Sequence, residues 1–430
     1  MWPFRRQSAT VLSKKSASLL MGMGRATMMS RNYLAQAEEG YALNAVVHAC
    51  VSKIASAVAM PDLFVYQKDK KGNVRKLEGH PLEALLDKPN PTMSGRQFRR
   101  SLASYHQIGG NAYVFGFGVG DNREPTELQL LNPAKMVVKP GLGLFPESYE
   151  YRPGNQGSAR YPVDQLSGAS DILHIKAFNP LDPWYGLAPM TAAAYSVDTF
   201  NSGTKWNKKL LDNDCRPPGA LVVKDSEGKP ATLADEQYFR LKEDIERQYS
   251  GANNAGRPLL LEGGLEWQEM GMTPHDMDYK ENMLSAARFV ASVFGVPDQM
   301  LNIPGSSTFA NYEQAELSFW ANTALPLLGS YLDDLNRWLA PLYGEGIYLW
   351  HDEEMIPALE PLRAQKSTRI NASGYMTVNE KREAMGYEAV EGGDVVLVQS
   401  STIPLDLAGS MNLSEPGSAT DANADTQPAA

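Results

Sequence analysis

Gly186-Leu187-Ala188-Pro189-Met190 marks the point where the chain changes character, and what lies on either side of it decides the fold. Beyond it, Leu187 to Leu211 is helix-like and rich in alanine, with Tyr195, Phe200 and Trp206 among its apolar positions, until Cys215-Arg216-Pro217-Pro218-Gly219 stops it. Before it, short β-branched and aromatic runs alternate with Pro, Gly and Asn, the pattern of a mixed sheet joined by hairpin loops. Leu63 to Tyr66, Ala112 to Phe117, Leu128 to Leu131, Met136 to Val138 and Asp171 to Lys176 read as strands. A packed amphipathic helix is expected over 42–59, and another from Gly95 to Gln107, ended by Gly109-Gly110. These elements make an α+β domain that closes near residue 186.

Downstream of the alanine-rich helix the sequence predicts a compact α/β insert. It has a strand from Ala220 to Val223, a helix from Leu233 to Tyr249 capped by Thr232, and strands over 259–261 and 265–267. A helix follows over 274–294, with Met283, Ala286, Ala287, Val290 and Val293 on one face. Gly295-Val296-Pro297 ends it, and a loop leads into a long helical pattern from Tyr312 to Leu339. Leu317, Trp320, Ala324, Leu328, Tyr331, Leu335 and Leu339 form its apolar stripe, and Pro326, which lacks a backbone donor, is expected to kink it. A strand over 347–350 and helices over 360–369 and 378–385 complete the folded part.

Composition narrows the function. The 430 residues are 43% hydrophobic and carry a net charge of -10, which argues against a protein that grips nucleic acid over its whole surface. The charge is uneven: Arg5, Arg6, Lys14, Lys15, Arg25 and Arg31 precede the first acid, Glu38. Residues 1–40 therefore read as a disordered basic arm and the small, polar residues 405–430 as a disordered tail. Lys14 and Lys15 interrupt any signal-peptide core, and no uncharged apolar run of about 18 residues predicts a membrane span. Cys50 and Cys215 offer neither a disulfide framework nor a metal cluster, a usage that fits a reducing cytoplasm.

Catalytic signatures are missing from the sequence. Gly251 to Gly256 has the glycine spacing of a phosphate loop, but Arg257 stands where the lysine belongs and no buried strand precedes it. There is no H-E-x-x-H and no G-x-S-x-G, and His48, His80, His106, His174, His275 and His351 are scattered, as satisfied structural histidines would be. Asp333-Asp334 and Asp352-Glu353-Glu354 suggest metal ligands only superficially, because adjacent residues point to different faces; both read as solvated surface. No enzymatic activity, metal or cofactor is expected.

Several stretches stand in a definite order along the chain. They begin with the helix Tyr41 to Ala57 and its Val47-x-x-Cys50-Val51-x-x-Ile54-Ala55 core. His80-Pro81-Leu82 with Pro89-Asn90-Pro91, Gly110-Asn111-Ala112-Tyr113, Gly186 to Met190 and Arg216 to Gly219 follow. Asn254 to Pro258, Leu261 to Gly264, Phe294 to Pro297 and Ser307 to Gln314 come next, then Met376 to Arg382 with Glu391 to Asp394. Together they span residues 41–400, and in this order they resemble the portal proteins of tailed double-stranded-DNA bacteriophages. One departure is Met300-Leu301-Asn302, where the family often has Leu-Leu-Gly.

The resemblance implies a multidomain portal-type subunit in a twelve-membered ring. It would comprise an α+β wing (41–186), stem helix 1 (187–214), a small α/β clip (215–272), stem helix 2 (273–296) and a tunnel loop (297–310). A tunnel helix with its kink at Pro326 and a wing return (311–365), and a short helical crown (366–404), would follow. Asn302, Ile303, Pro304, Gly305, Ser306, Ser307 and Thr308 would line the DNA channel. The ring would sit at one capsid vertex of the virion after assembly in the host cytoplasm, conduct DNA in packaging and ejection, and meet terminase, major capsid protein, scaffold and a head-tail connector, without a membrane. The alternative is a packaging enzyme of the terminase type, an ATPase or nuclease, which predicts a phosphate loop and a carboxylate metal site.

Charge bears on this separately. From Phe289 to Asn336 there is no Lys or Arg, while Asp298, Glu313, Glu316, Asp333 and Asp334 are acidic. Phosphate contacts add sequence-independent affinity through counterion release, so a wall along which DNA slides should lack cations. An ordinary amphipathic helix is an equal reading of the same charge pattern.

Overall fold

The structure, a computed structural model, describes residues 32–70, 72–118, 124–143, 145–154, 157–212, 219–224, 234–240, 243, 265–269, 279–304 and 309–396. The chain divides into two compact units, Met1–Ala358 and Leu359–Ala430.

In the first unit, Asn32 caps a helical turn, Tyr33–Ala35, that runs on as a π-helical segment, Gln36–Ala42, so the chain is already helical within the range expected to be an arm. Tertiary contact explains the difference: Gln36 Nε2 donates to Thr191 Oγ1 at 2.7 Å, a partner 155 residues away. Asn44 then starts helix α1 (Ala45–Ala59), its Oδ1 accepting the Val46 and Val47 amides at 3.0 Å. The face of α1 carrying Val47, Cys50, Val51, Ile54 and Val58 is buried. Each such side chain contributes about 1.5–3 kcal/mol by leaving water.

Strands β1 (Leu63–Lys68) and β2 (Val74–Leu77) follow, then helix α2 (Pro81–Asp87), which His80 caps through Nδ1, and helix α3 (Gly95–Gly109). Strands β3 (Asn111–Phe117), β4 (Glu127–Leu131), β5 (Met136–Lys139), β6 (Ser148–Gly154), β7 (Gly157–Pro162) and β8 (Ile172–Lys176) complete the strand-rich part. The expected mixed sheet is instead a pair of three-stranded antiparallel sheets, β4-β3-β8 and β5-β6-β7. Around Tyr113, Met136, Val138, Tyr149 and Ile172 the two share one apolar cluster. Sequence reading missed β2 and β7 because they are largely exposed, and β6 because its burial fades along the strand rather than alternating; α2 is too short to show a period.

After β8 comes a short helix α4 (Pro189–Ala192), then α5 (Ala194–Asp212), with a break at Ala193 inside the range expected to be one helix. In the α/β insert, β9 (Gly219–Val223) pairs antiparallel with β10 (Leu265–Glu269). The expected helix over 233–249 is described over 235–240, and the strand over 259–261 lies outside the described residues. Helix α6 (Tyr279–Val293) packs against α5. Helix α7 (Phe309–Phe319), a π-helical turn (Trp320–Ala324) and helix α8 (Leu325–Tyr343) then run consecutively. Strand β11 (Ile347–His351) returns to pair antiparallel with β1, giving the sheet order β11-β1-β2.

The second unit holds helices α9 (Glu360–Ala372) and α10 (Val378–Ala384). Thr377 and Glu380 form a capping box at the start of α10. Asn379 holds the following turn: its Oδ1 accepts the Val390 amide at 2.8 Å and its Nδ2 donates to Asp394 Oδ1 at 2.7 Å. Those contacts join Met376 to Arg382 with Glu391 to Asp394, two motifs separated in the sequence.

Candidate functional site

The segment after α6 is built on a sharp turn. Gly295 has φ 67°, and the Gly295 and Val296 amides donate to Ser292 and Ala291 carbonyls. Thr323 Oγ1 in the π-helical turn donates to Gly295 O at 2.7 Å, tying the turn to the chain beyond the loop. Pro297 then leads a 3₁₀ turn, Asp298–Leu301, closed by Asn302 in the left-handed conformation at φ 54°. Asn is the non-glycine residue that tolerates this region best, which accounts for its standing where the resembled proteins often have Gly.

Arg288 on α6 holds the far side of the turn, with Nη2 donating to Pro304 O at 2.8 Å and Nε lying 3.7 Å from Asp298 Oδ2. Met300 and Ile303 are buried beneath, so Ile303 anchors the segment while Asn302 and Pro304 are exposed. Gly305, Ser306, Ser307 and Thr308 lie outside the described residues. Arg288→Ala is expected to lower stability by about 1 kcal/mol, because the pair is half-exposed. Its larger effect should be faster amide exchange at Asn302 and Ile303, read by hydrogen exchange; unchanged exchange there contradicts an anchoring role.

Pro326 occupies the start of α8, directly after the π-helical turn, so its missing N–H falls where the hydrogen-bond ladder has already shifted register. A second proline, Pro341, lies inside α8 and was not singled out from the sequence. Both cations that bound the Lys- and Arg-free stretch are engaged: Arg288 as above, and Arg337 Nη2 with Asp334 Oδ1 at 2.8 Å. Asp334 departs from the solvated reading. Burial raises its pKa, opposed by Arg337, while Asp333, Glu313 and Gln314 face solvent. Among the described residues no three His, Cys, Asp or Glu side chains could hold a metal ion, and no single helix is long and apolar enough to cross a membrane.

The junction at Gly186 brings two sequence motifs into backbone contact. A Cβ on Gly110, which has φ 70°, would lie 2.6 Å from both Leu187 C and Ala188 N; one on Gly186 would meet Gly110 O. Asn111 joins the two strands of chain, its Oδ1 accepting the Gly186 amide at 2.7 Å and its Nδ2 donating to Gly109 O at 2.8 Å. Because Asn111 Oδ1 only accepts, His174 Nε2, 2.9 Å away, carries the proton. His106 Nδ1 bonds the buried Tyr331 hydroxyl at 2.9 Å, linking α3 to α8. Among the described residues His351 departs from the satisfied reading: it is buried at the end of β11 and neither ring nitrogen has a hydrogen-bond partner, Glu353 Oε1 lying 3.6 Å from Nε2.

A model of the phage portal protein family matches residues 45–386. The chain belongs to the phage portal protein family. It is 38% identical to an uncharacterized protein of Rickettsia bellii over 83% of this chain and 90% of that one. Against the portal protein of Enterobacteria phage HK97 it is 26% identical, covering 84% of this chain and 82% of that one. Among solved structures, the neck of an empty gene transfer agent particle computed with C6 symmetry matches at TM-score 0.64 and 36% identity, covering 88% of this chain and 100% of that one. The native neck computed with C12 symmetry matches at TM-score 0.62 and 36% identity, covering 87% and 99%. As a portal protein the chain is a structural component of a phage-type particle. Three of the portal motifs act as supports: Gly110 and Asn111, Gly186, and Thr377 with Asn379 hold backbone.

Proposed function

We propose that copies of this portal protein close into a twelve-membered ring at a capsid vertex, forming the channel for DNA packaging and ejection and the dock for terminase and a head-tail connector. Major capsid protein and scaffold would contact the same ring. Residues 41–186 would form the wing, 187–214 and 273–296 the stem, 215–272 the clip, 297–310 and 311–365 the tunnel loop, tunnel helix and wing return, and 366–404 the crown. Closure needs heterologous contacts, one face of each subunit against a different face of the next. Tyr195 on α5 and Phe289 on α6 are 69% and 64% exposed, apolar surface that a neighbour would cover.

One observation carries the channel reading: 48 successive residues, from Phe289 near the end of α6 to Asn336 in α8, contain no cation. DNA sliding past such a wall meets no fixed positive charge. Glu313→Lys with Gln314→Lys on the exposed side of α7 would place a belt of cations in every ring. The expected result is normal rings on negative-stain micrographs but slower DNA packaging, more so at low salt, since each phosphate contact adds about -0.9 to the slope of log affinity against log salt. Packaging at the wild-type rate would remove α7 from the channel; a purified protein that stays monomeric with capsid components present would end the ring reading.

A further inference from the structure

The loop between β8 and α4 presents two large apolar side chains to water on a stiff frame. Phe178 and Leu181 are 86% and 82% exposed. Yet the backbone beneath them is closely tied. Asn179 Oδ1 accepts the Leu181 amide at 3.0 Å while its Nδ2 donates to Tyr185 O at 2.8 Å. Asp182 Oδ1 accepts the Trp184 amide at 2.7 Å and the Tyr185 amide at 3.3 Å. Lys176 Nζ donates to Pro183 O, and the Ala177 amide to Gly110 O at 2.9 Å. Pro180 and Pro183 stiffen the loop further. Exposed apolar side chains held in one conformation lose little entropy on association, which is the property of an interface anchor.

The same chain carries an open groove of mixed lining, in which most of the apolar walls are buried and Ser52, Ser56 and Tyr312 share the border. Between α1 and α7, Ala57, Met60, Met300, Phe319 and Trp320 line a space of about 430 Å³. Lys53 and Glu316 also border it. The loop and the strand end at its base bring charges of the opposite pairing, Asp182 and Lys176. A larger groove of about 990 Å³ is lined in part by Trp184 of the loop and by Lys176 at the end of β8. A loop seated in a groove at its own base would pair two copies about a two-fold axis and close a dimer. No residue of the α1–α7 groove belongs to the loop, so that groove supports the head-to-tail contact a ring requires.

We infer that Phe178 and Leu181 of one subunit anchor in the groove between α1 and α7 of the next. This rests on the proposed ring and specifies which surfaces join it. Across the contact, Asp182 would face Lys53 and Lys176 would face Glu316, a rim that sets the orientation more than the strength. The two apolar side chains are the anchors of a larger interface, since stable contacts bury about 800 Å² per partner.

Cysteine pairing tests it in the full-length chain. In a Cys215→Ser background the remaining Cys50 is buried, and burial pushes its thiol up to about 12, so it does not react. Leu181→Cys combined with Met60→Cys should give a ladder of covalent oligomers on mild oxidation or with a short bis-maleimide, and neither single variant should. Cross-linking by Leu181→Cys alone shows a two-fold contact and overturns the proposal. Rings on micrographs with no ladder from the double variant overturn it as well, while leaving the ring itself intact. A wild-type protein without rings defeats both. As a second measure, Phe178→Asp with Leu181→Asp should keep the wild-type melting temperature and lose rings at least tenfold; rings at wild-type yield would exclude the anchor.

Discussion

Gly110→Ala lowers the stability of the first unit by roughly 3 kcal/mol. Two costs combine. Gly110 sits in the left-handed region at φ 70°, which costs a residue with a Cβ about 1–2 kcal/mol. The added methyl also meets backbone, Ala188 N and Leu187 C at 2.6 Å and Gly186 C at 2.8 Å, none of which can swing aside as a side chain would. Overpacking of this kind typically costs about 1–3 kcal/mol. Gly79→Ala is the control, because Gly79 has φ 68° and nothing within 4 Å of its would-be Cβ, so it carries the conformational cost alone. Urea unfolding at neutral pH should show Gly110→Ala clearly worse than Gly79→Ala. Equal losses would mean that the close approach of the two motifs is not a constraint. Gly186→Ala should resemble Gly110→Ala, since its Cβ would meet Gly110 O and lie 2.7 Å from Ala177 N.

Acid should weaken the same region through two buried histidines. Burial lowers the His106 pKa to about 4; burial, then Lys176 and His106, lower that of His174 to about 3. Above the ordinary histidine value near 6.5 both are neutral in the folded and unfolded chain, and their contribution is fully present. As pH falls below about 6.5 the unfolded chain binds protons that the folded chain refuses, so stability drops by about 1.4 kcal/mol per pH unit for a fully depressed histidine. For His106 the fall continues to about pH 4 and totals on the order of 3 kcal/mol. His174 adds in the same direction. Urea midpoints at pH 7, 5.5 and 4.5 measure the slope, as round settings about the window. Replacing both residues, His106→Gln with His174→Gln, should flatten it, and an unaltered slope in that variant would move the acid sensitivity to other groups, carboxylates or His80 and His351, whose pKa values burial also lowers.

What could be read in advance follows from how far each signal reaches along the chain. The helix ending at Gly109-Gly110, the strand from Ala112, and the stop at Gly295-Val296-Pro297 are set by neighbours in sequence, and the structure has them. The long pattern from Tyr312 to Leu339 is helical, but it relaxes into a π-helical turn at Trp320–Ala324, where Thr323 reaches Gly295, 28 residues earlier, and no local period reports that. Arg288 carries no sequence signal that sets it apart from other cations on helices; its contacts with Pro304 and Asp298 come only from the fold.

The sequence by itself determined the α+β class, the order of most helices and strands, the family, and the cation-free run from Phe289 to Asn336, because periodicity, turn residues and charge are properties of adjacent positions. Tertiary structure alone decided that Gly110 and Gly186 touch, that β11 returns to β1, that Ile303 is an anchor and that Phe178 and Leu181 stand in water above a fixed loop. Those outcomes depend on packing between residues tens to hundreds of positions apart, where burial and hydrogen-bond partners are settled by the whole fold rather than by any stretch of it.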